Sequence, residues 1–127
     1  MRFLTRKLVK PEDLNANNTL FGGRLLEWVD EEAAIYAAIE ARHKKVVTKS
    51  ISAINFISPA RQGDVVEIGV ALKRVGKTSI TLEVQVRDLT TQNKIVNIDE
   101  MVFVCVDEQG RPIRHSLCKH KLDSKDT

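Results

Sequence analysis

The sequence predicts an α+β fold in which an antiparallel sheet wraps round one long central helix. Three observations lead there. From about residue 23 to residue 42, apolar residues recur at helical spacing and cover most of a helical wheel. Residues 46–106 then hold four Val- and Ile-rich segments that alternate apolar with polar and are joined by short turns. The chain has 127 residues, 43% of them hydrophobic, which suits one domain with a core of its own.

The elements follow in order. Residues 2–9 read as a short strand with basic residues interleaved, and Pro11 to Thr19 as a loop rich in Asn and Asp. The helix comes next, with Arg24, Glu27, Glu31 and Arg42 gathered on one side of the wheel. Residues 46–57 form a second strand ending at Ser58-Pro59. Residues 64–74 put Val66, Ile68, Val70 and Leu72 on one face, and residues 77–87 do the same with Ile80, Leu82, Val84 and Val86. Residues 95–106 put Val96, Ile98, Val102, Val104 and Val106 on one face. The connections Gln62-Gly63-Asp64, Gly76-Lys77 and Thr90 to Lys94 are short, which predicts a meander of neighbouring strands. Asp107 to Gly110 is a turn, and residues 115–127 read as a polar tail after a domain spanning 1–114. A helix that is apolar nearly all round must be covered on both sides. The sheet covers one side and a second copy covers the other, so the chain is expected to be at least a dimer. A sheet wrapped round one helix in this way is the hot-dog fold.

Composition narrows the function classes. With 20 basic and 17 acidic residues the net charge is +3, too small a surplus to point to nucleic acid. Aromatic residues make up 5%, too few for a platform on which bases stack. No apolar run reaches the roughly 18 residues a membrane-spanning helix needs, and the N-terminal residues lack a signal-peptide core. A soluble cytoplasmic protein is expected. Cys105 lies in an apolar run and Cys118 in the polar tail, which does not make a disulfide framework.

The most telling stretch is Asn15 to Ala34. A polar turn feeds the Gly22-Gly23 pair, and the pair opens the helix that carries Asp30 two turns in. On the wheel Asp30 shares a face with Leu26, Ala33, Ala34, Ala37 and Ala41. Small residues mark where a helix approaches another backbone, and an unpaired carboxylate is costly there. Asp30 is therefore either held by hydrogen bonds or put to chemical use. The helix start offers free N–H groups and the positive end of the dipole, which suits an oxyanion. A base and an oxyanion site close together point to acyl-group hydrolysis. The sequence does not choose between Gly22 and Gly23. Asn15, Asn17, Asn18 and Thr19 suit turn formation and capping; Asn15 and Thr19 are the candidates for orienting a water.

The same residues carry a family resemblance. Asn15…Thr19-Leu-Phe-Gly-Gly23 followed by Asp30-Glu-Glu-Ala-Ala resembles the signature of the hot-dog acyl-CoA thioesterases, more narrowly the bacterial short acyl-CoA hydrolases related to the brain-type cytosolic acyl-CoA hydrolase. Further matching segments follow in order. They are Val46-Val-Thr48, Asn55-Phe56-Ile-Ser-Pro59 with Gly63-Asp64, Val75-Gly76-Lys77-Thr78-Ser79, and Asp107-Glu-Gln-Gly110-Arg-Pro112. The likeness runs from about residue 5 to residue 114. It implies hydrolysis of acyl-CoA to free fatty acid and coenzyme A, with Asp30 as general base or nucleophile and N–H groups at Gly22 or Gly23 receiving the oxyanion. It implies no metal or redox cofactor, coenzyme A being part of the substrate. It also implies a pocket between two subunits, so that Asp30 of one chain faces Gly22 of another, and dimers that assemble further, as a trimer of dimers. The basic residues Arg61, Lys73, Arg74 and Lys77 are candidates for holding the phosphates, with the turn Gly76-Lys77-Thr78-Ser79 meeting the pantetheine or a phosphate.

Rival readings are weaker on the residues. A hot-dog dehydratase or hydratase uses a histidine near the helix, and residues 15–42 contain none; His43, His115 and His120 are scattered and form no metal set. A non-enzymatic acyl-CoA-binding module on the same fold is the alternative, and a DNA-binding version would need an added segment. No partner other than acyl-CoA and a further copy of the chain is expected.

Overall fold

The periodicities read above become five strands and one helix in a computed structural model that describes residues 1–115. The order is β1 (Arg2–Leu8), a single 3-10 turn (Pro11–Asp13), α1 (Gly22–Ala41), β2 (Val46–Phe56), β3 (Val65–Val75), β4 (Ser79–Asp88) and β5 (Lys94–Cys105). All neighbouring strands are antiparallel, in the order β1-β3-β4-β5-β2.

The predicted meander holds for β3, β4 and β5 and fails for β2. The chain leaves the helix, lays β2 against β5, and then crosses to begin β3 beside β1. Residues 57–64 make that crossing. The Ile57 and Ser58 amides both donate to the Ile95 carbonyl, at 2.8 and 3.3 Å, which turns the chain away from β5. The connection is short, but it runs under the start of the helix rather than through a hairpin.

The helix meets the sheet along Leu25, Val29, Ala33, Ala37 and Ala41, all buried and four residues apart. Three consecutive alanines on this row let the helix axis come close to the sheet. Facing them are Val66, Ile68, Ile80, Leu82, Val84 and Val86, each essentially fully buried as the alternation predicted. β5 departs from its predicted face. Leu82 pairs with Met101 but Val84 pairs with Ile98, so an extra residue bulges out at Asp99–Glu100 and the alternation changes phase. Val96 and Ile98 point into the core, and beyond the bulge Met101, Phe103 and Cys105 take over. Val102 is left half-buried, and Val104 and Val106 are buried off that face.

Arg42 closes the helix in the left-handed conformation (φ 55°), where the His43 amide bonds back to the Ala38 carbonyl. The His43 ring then donates to the Val106 carbonyl at 2.8 Å, pinning the helix end to the end of β5. His115, read as the start of a polar tail, is instead buried, its amide on the Lys77 carbonyl and its ring on the Ser79 carbonyl. Cys118, His120 and the rest of the predicted tail lie outside the described residues. No helix among the described residues is long and apolar enough to cross a membrane.

Candidate active site

Residues 14–21 form a closed loop against the helix start. The Asn15 amide donates to the Thr19 carbonyl at 2.8 Å. The Asn15 side-chain oxygen accepts from the Asn17 and Thr19 amides, at 2.8 and 3.2 Å, and its Nδ2 donates to Thr19 Oγ1 at 3.1 Å. Asn15 and Thr19 are thus first of all partners of each other. An amide NH2 carries two donors, so the second Asn15 N–H is left to a ligand or water. Asp13 anchors the loop from below. Its buried carboxylate accepts from the Lys10 amide at 2.9 Å and pairs with Arg24 at 3.1 Å, while its carbonyl accepts from the Phe21 amide.

Phe21 is the N-cap and supplies no side-chain cap. The N–H groups of Gly22 and Gly23 therefore have neither an intrahelical partner nor a capping oxygen. The structure separates the two glycines. A Cβ at Gly22 would meet the Phe56 ring at 3.3 Å, inside a cavity of about 310 Å³ that Asn15, Thr19 and Leu25 also line. A Cβ at Gly23 would meet the Phe21 ring at 2.8 Å, on the other side of the helix, beside Asp13 and Glu27.

Asp30 sits at the border of the alanine row rather than within it, half-buried. It is held from the sheet. Thr48 on β2 donates to Asp30 Oδ1 at 2.7 Å. Thr48 was read only as the entry to a strand. The bond is not legible in the sequence, because the strand order that carries Thr48 past the helix cannot be read from alternation alone. Asp30 is two helical turns from Gly22, about 12 Å along the axis at 1.5 Å per residue. It does not line the cavity that holds Asn15, Thr19 and Gly22. One chain thus carries the two halves of the predicted constellation at separate places.

The basic residues fall into two groups. Arg61 is exposed beside the loop, where its backbone bridges to Thr19. Lys73 and Arg74 lie toward the far end of β3, about 26–30 Å along the strand from its start at Val65, and Lys77 lies on the turn beyond it. There Arg74 pairs with Glu100 at 2.9 Å, and Lys73 with Glu100 at 3.4 Å and the Asp99 carbonyl at 3.2 Å. The two cations draw the half-buried Glu100 carboxyl below the usual carboxylate range, hydrogen bonding from Arg74 being the largest cause. Lys77 is exposed on the turn, where the Gly76 amide donates to the Ser79 carbonyl and the Thr78 carbonyl accepts from the Cys105 amide. Burial pushes the Cys105 thiol up, which suits a core residue and not a nucleophile. Among the described residues no three His, Cys, Asp or Glu side chains converge as a metal site would require.

Against this geometry, comparison with known proteins is specific. The sequence model of the Thioesterase superfamily matches residues 17–94. An uncharacterized acyl-CoA thioester hydrolase of Haemophilus influenzae is 36% identical over 114 residues, covering 85% of this chain and 73% of that protein. A hexameric thioesterase from Yersinia pestis superposes with a TM-score of 0.82 at 30% identity, covering 90% of this chain and 94% of the other. An acyl-CoA hydrolase from Staphylococcus aureus, solved with butyryl coenzyme A, coenzyme A and coenzyme A disulfide, superposes with a TM-score of 0.78 at 25% identity, covering 96% and 82%. That enzyme has also been solved with alanine in place of an asparagine, a threonine and an aspartate.

Proposed function

The chain belongs to the thioesterase superfamily, and from that premise we propose that it hydrolyses acyl-CoA to a free fatty acid and coenzyme A at a site built from two copies of the chain. The observation that carries the shared site is the separation just described. Asn15, Thr19 and Gly22 line one cavity, and Asp30 with Thr48 stands two turns further along the helix.

The surface between them supports a partner. β2 is an edge strand with one side unpaired and exposed along nearly its whole length, and Ile51 and Phe56, opposite Met101 and Val96, stand exposed on its helix-facing side. An open edge and apolar side chains on one face suit a second copy, with the two sheets joined edge to edge. In that arrangement Asp30 of one copy meets the Asn15–Gly22 cavity of the other. The hexameric neighbour from Yersinia pestis supports further assembly as a trimer of dimers.

The chemistry follows from the groups. Asp30, oriented by the Thr48 hydroxyl, takes a proton from water or attacks the thioester carbon itself. The developing oxyanion is received by the free N–H of Gly22, where the absence of a side chain lets the carbonyl reach the backbone. The second N–H of the Asn15 amide, with Thr19 holding the group in place, positions the water. In the Staphylococcus aureus enzyme the varied asparagine and aspartate are separated by the same number of residues as Asn15 and Asp30. The thiolate leaves without a strong general acid, and coenzyme A enters and leaves as part of the substrate. The candidates for its phosphates and pantetheine are two separate groups, Arg61 beside the Asn15 loop and Lys73, Arg74 and Lys77 with the Gly76–Ser79 turn, and one coenzyme A engages both only where they come from different copies of the chain. Lys73 and Arg74 exchange Glu100 for phosphate when they do so. Release of free thiol from a panel of acyl-CoAs tests the reading: turnover supports it, and no turnover with any chain length refutes it.

A further inference from the structure

Negative charge crowds the end of the helix where an anion has to form. On the Gly23 side of the first turn, away from the Gly22 cavity, Glu12, Asp13 and Glu27 line a second cleft. Among the described residues that line it, Arg24 is the one cation. A carboxylate at a helix start is held by the same positive potential that an oxyanion at Gly22 would use. Asp13 weighs most of the three. It is 3% exposed, so water and salt screen it least, whereas Glu27 is 67% exposed. Resting on the thioesterase reading, we propose that Arg24 is a positioning residue for that reaction: it cancels the buried Asp13 charge and so leaves the Gly22 N–H free to receive the oxyanion.

Three facts carry the assignment. First, the carboxylate is fixed where it stands. Asp13 Oδ2 accepts from the Lys10 amide at 2.9 Å, and the Asp13 carbonyl accepts from the amide of the N-cap, Phe21, at 2.9 Å. The loop that shapes the helix start therefore brings this charge with it. Second, one guanidinium answers two carboxylates. Arg24 Nε lies 3.1 Å from Asp13 Oδ1, and its Nη1 donates to Glu27 Oε1 at 2.9 Å. Third, Arg24 stands in the first turn of the helix, two residues after Gly22, whose N–H has no side-chain cap. The pair thus moves as one body with the N–H it serves. Remove the guanidinium, and a buried unpaired carboxylate faces the first turn. A charge placed there shifts an equilibrium by roughly two- to thirtyfold.

The test reads the helix start with and without turnover. Exchange of a free amide proton with water is catalysed by hydroxide, so its rate reports the local potential. Protein labelled with nitrogen-15 in its six glycines gives a simple spectrum, and loss of one signal in Gly22→Ala assigns Gly22. Arg24→Met should slow Gly22 exchange about tenfold and lower kcat by a similar factor, with KM within about twofold. Arg24→Lys keeps the charge and should keep most of both rates. Asp13→Asn combined with Arg24→Met removes both charges. It should regain most of the exchange and of kcat while its urea midpoint stays below that of the unaltered chain. A merely structural pair would move rate and midpoint together. Should Arg24→Met fail to fold, Arg24→Gln takes its place, being uncharged and still able to hydrogen bond. Gly22 exchange unmoved in a folded variant, kcat unmoved there, or a double variant no faster than Arg24→Met overturns the proposal. Exchange that responds as stated, in a protein that cleaves no acyl-CoA, overturns only the thioesterase reading.

Discussion

The Thr48 hydroxyl donates to Asp30 Oδ1 at 2.7 Å, tying the free edge strand of the sheet to the middle of the helix. Thr48→Val removes this donor while keeping the shape and β propensity of the side chain. We expect kcat to fall by about tenfold with little change in melting temperature, because Thr48 is exposed in the single chain and its bond is a single surface one. Thr48→Ser should restore most of the rate. A Thr48→Val enzyme with full kcat would show that the bond is incidental to the chemistry.

Asp30→Asn is nearly isosteric and keeps an acceptor for Thr48. The fold should survive, and turnover should drop by about 10²-fold or more, the usual cost of losing a catalytic base. Circular dichroism and steady-state kinetics on one preparation check both halves of the statement. Near-normal turnover would remove Asp30 from the mechanism.

The two glycines should now behave differently. Gly22→Val fills the mouth of the cavity against Phe56 and should lower kcat more than it lowers stability. Gly23→Ala meets only the Phe21 ring, which is exposed and free to turn, and should leave turnover within about twofold. Equal losses in both variants would mean that the helix start matters as a turn and not as an oxyanion site.

Asp13 should matter for stability. Asp13→Ala strips the buried partner from Arg24 and the Lys10 amide, and we expect a loss of about 1–3 kcal/mol, seen as a lower midpoint in urea. Arg24→Ala should cost less, because Arg24 is 39% exposed and also contacts Glu27 on the surface. An Asp13→Ala midpoint equal to that of the unaltered chain would show that the pair contributes nothing.

For the phosphates, Arg61→Ser and Lys77→Ser should raise KM and weaken its dependence on salt. Arg74→Ser should do less, because Arg74 gains phosphate only by giving up Glu100. KM values unchanged in every variant would place the phosphates elsewhere.

How much of this was legible in the sequence depends on the range of the interaction. The helix and the β3–β4–β5 meander were legible because alternation and helical spacing are local. The placement of β2 beside β5 was not, since it depends on residues 57–64 turning under the helix. The phase change in β5 at Asp99–Glu100 hid there too, because a bulge leaves no apolar gap to count. Asn15, Thr19, Gly22 and Asp30 stood out as a motif. Thr48 did not, because only the folded strand order brings it to Asp30. The Glu100 pair with Lys73 and Arg74 was equally out of reach, joining β3 to β5 across β4.

The most direct measurement of the central claim mixes two inactive proteins. Asp30→Asn keeps an intact Gly22 cavity, and Gly22→Val keeps an intact Asp30. If each site takes one half from each copy, random subunit exchange should rebuild about one quarter of the sites and return about one quarter of the unaltered activity. Mixed oligomers verified by mass spectrometry that remain inactive would contradict the shared site, as would a fully active monomer in the ultracentrifuge.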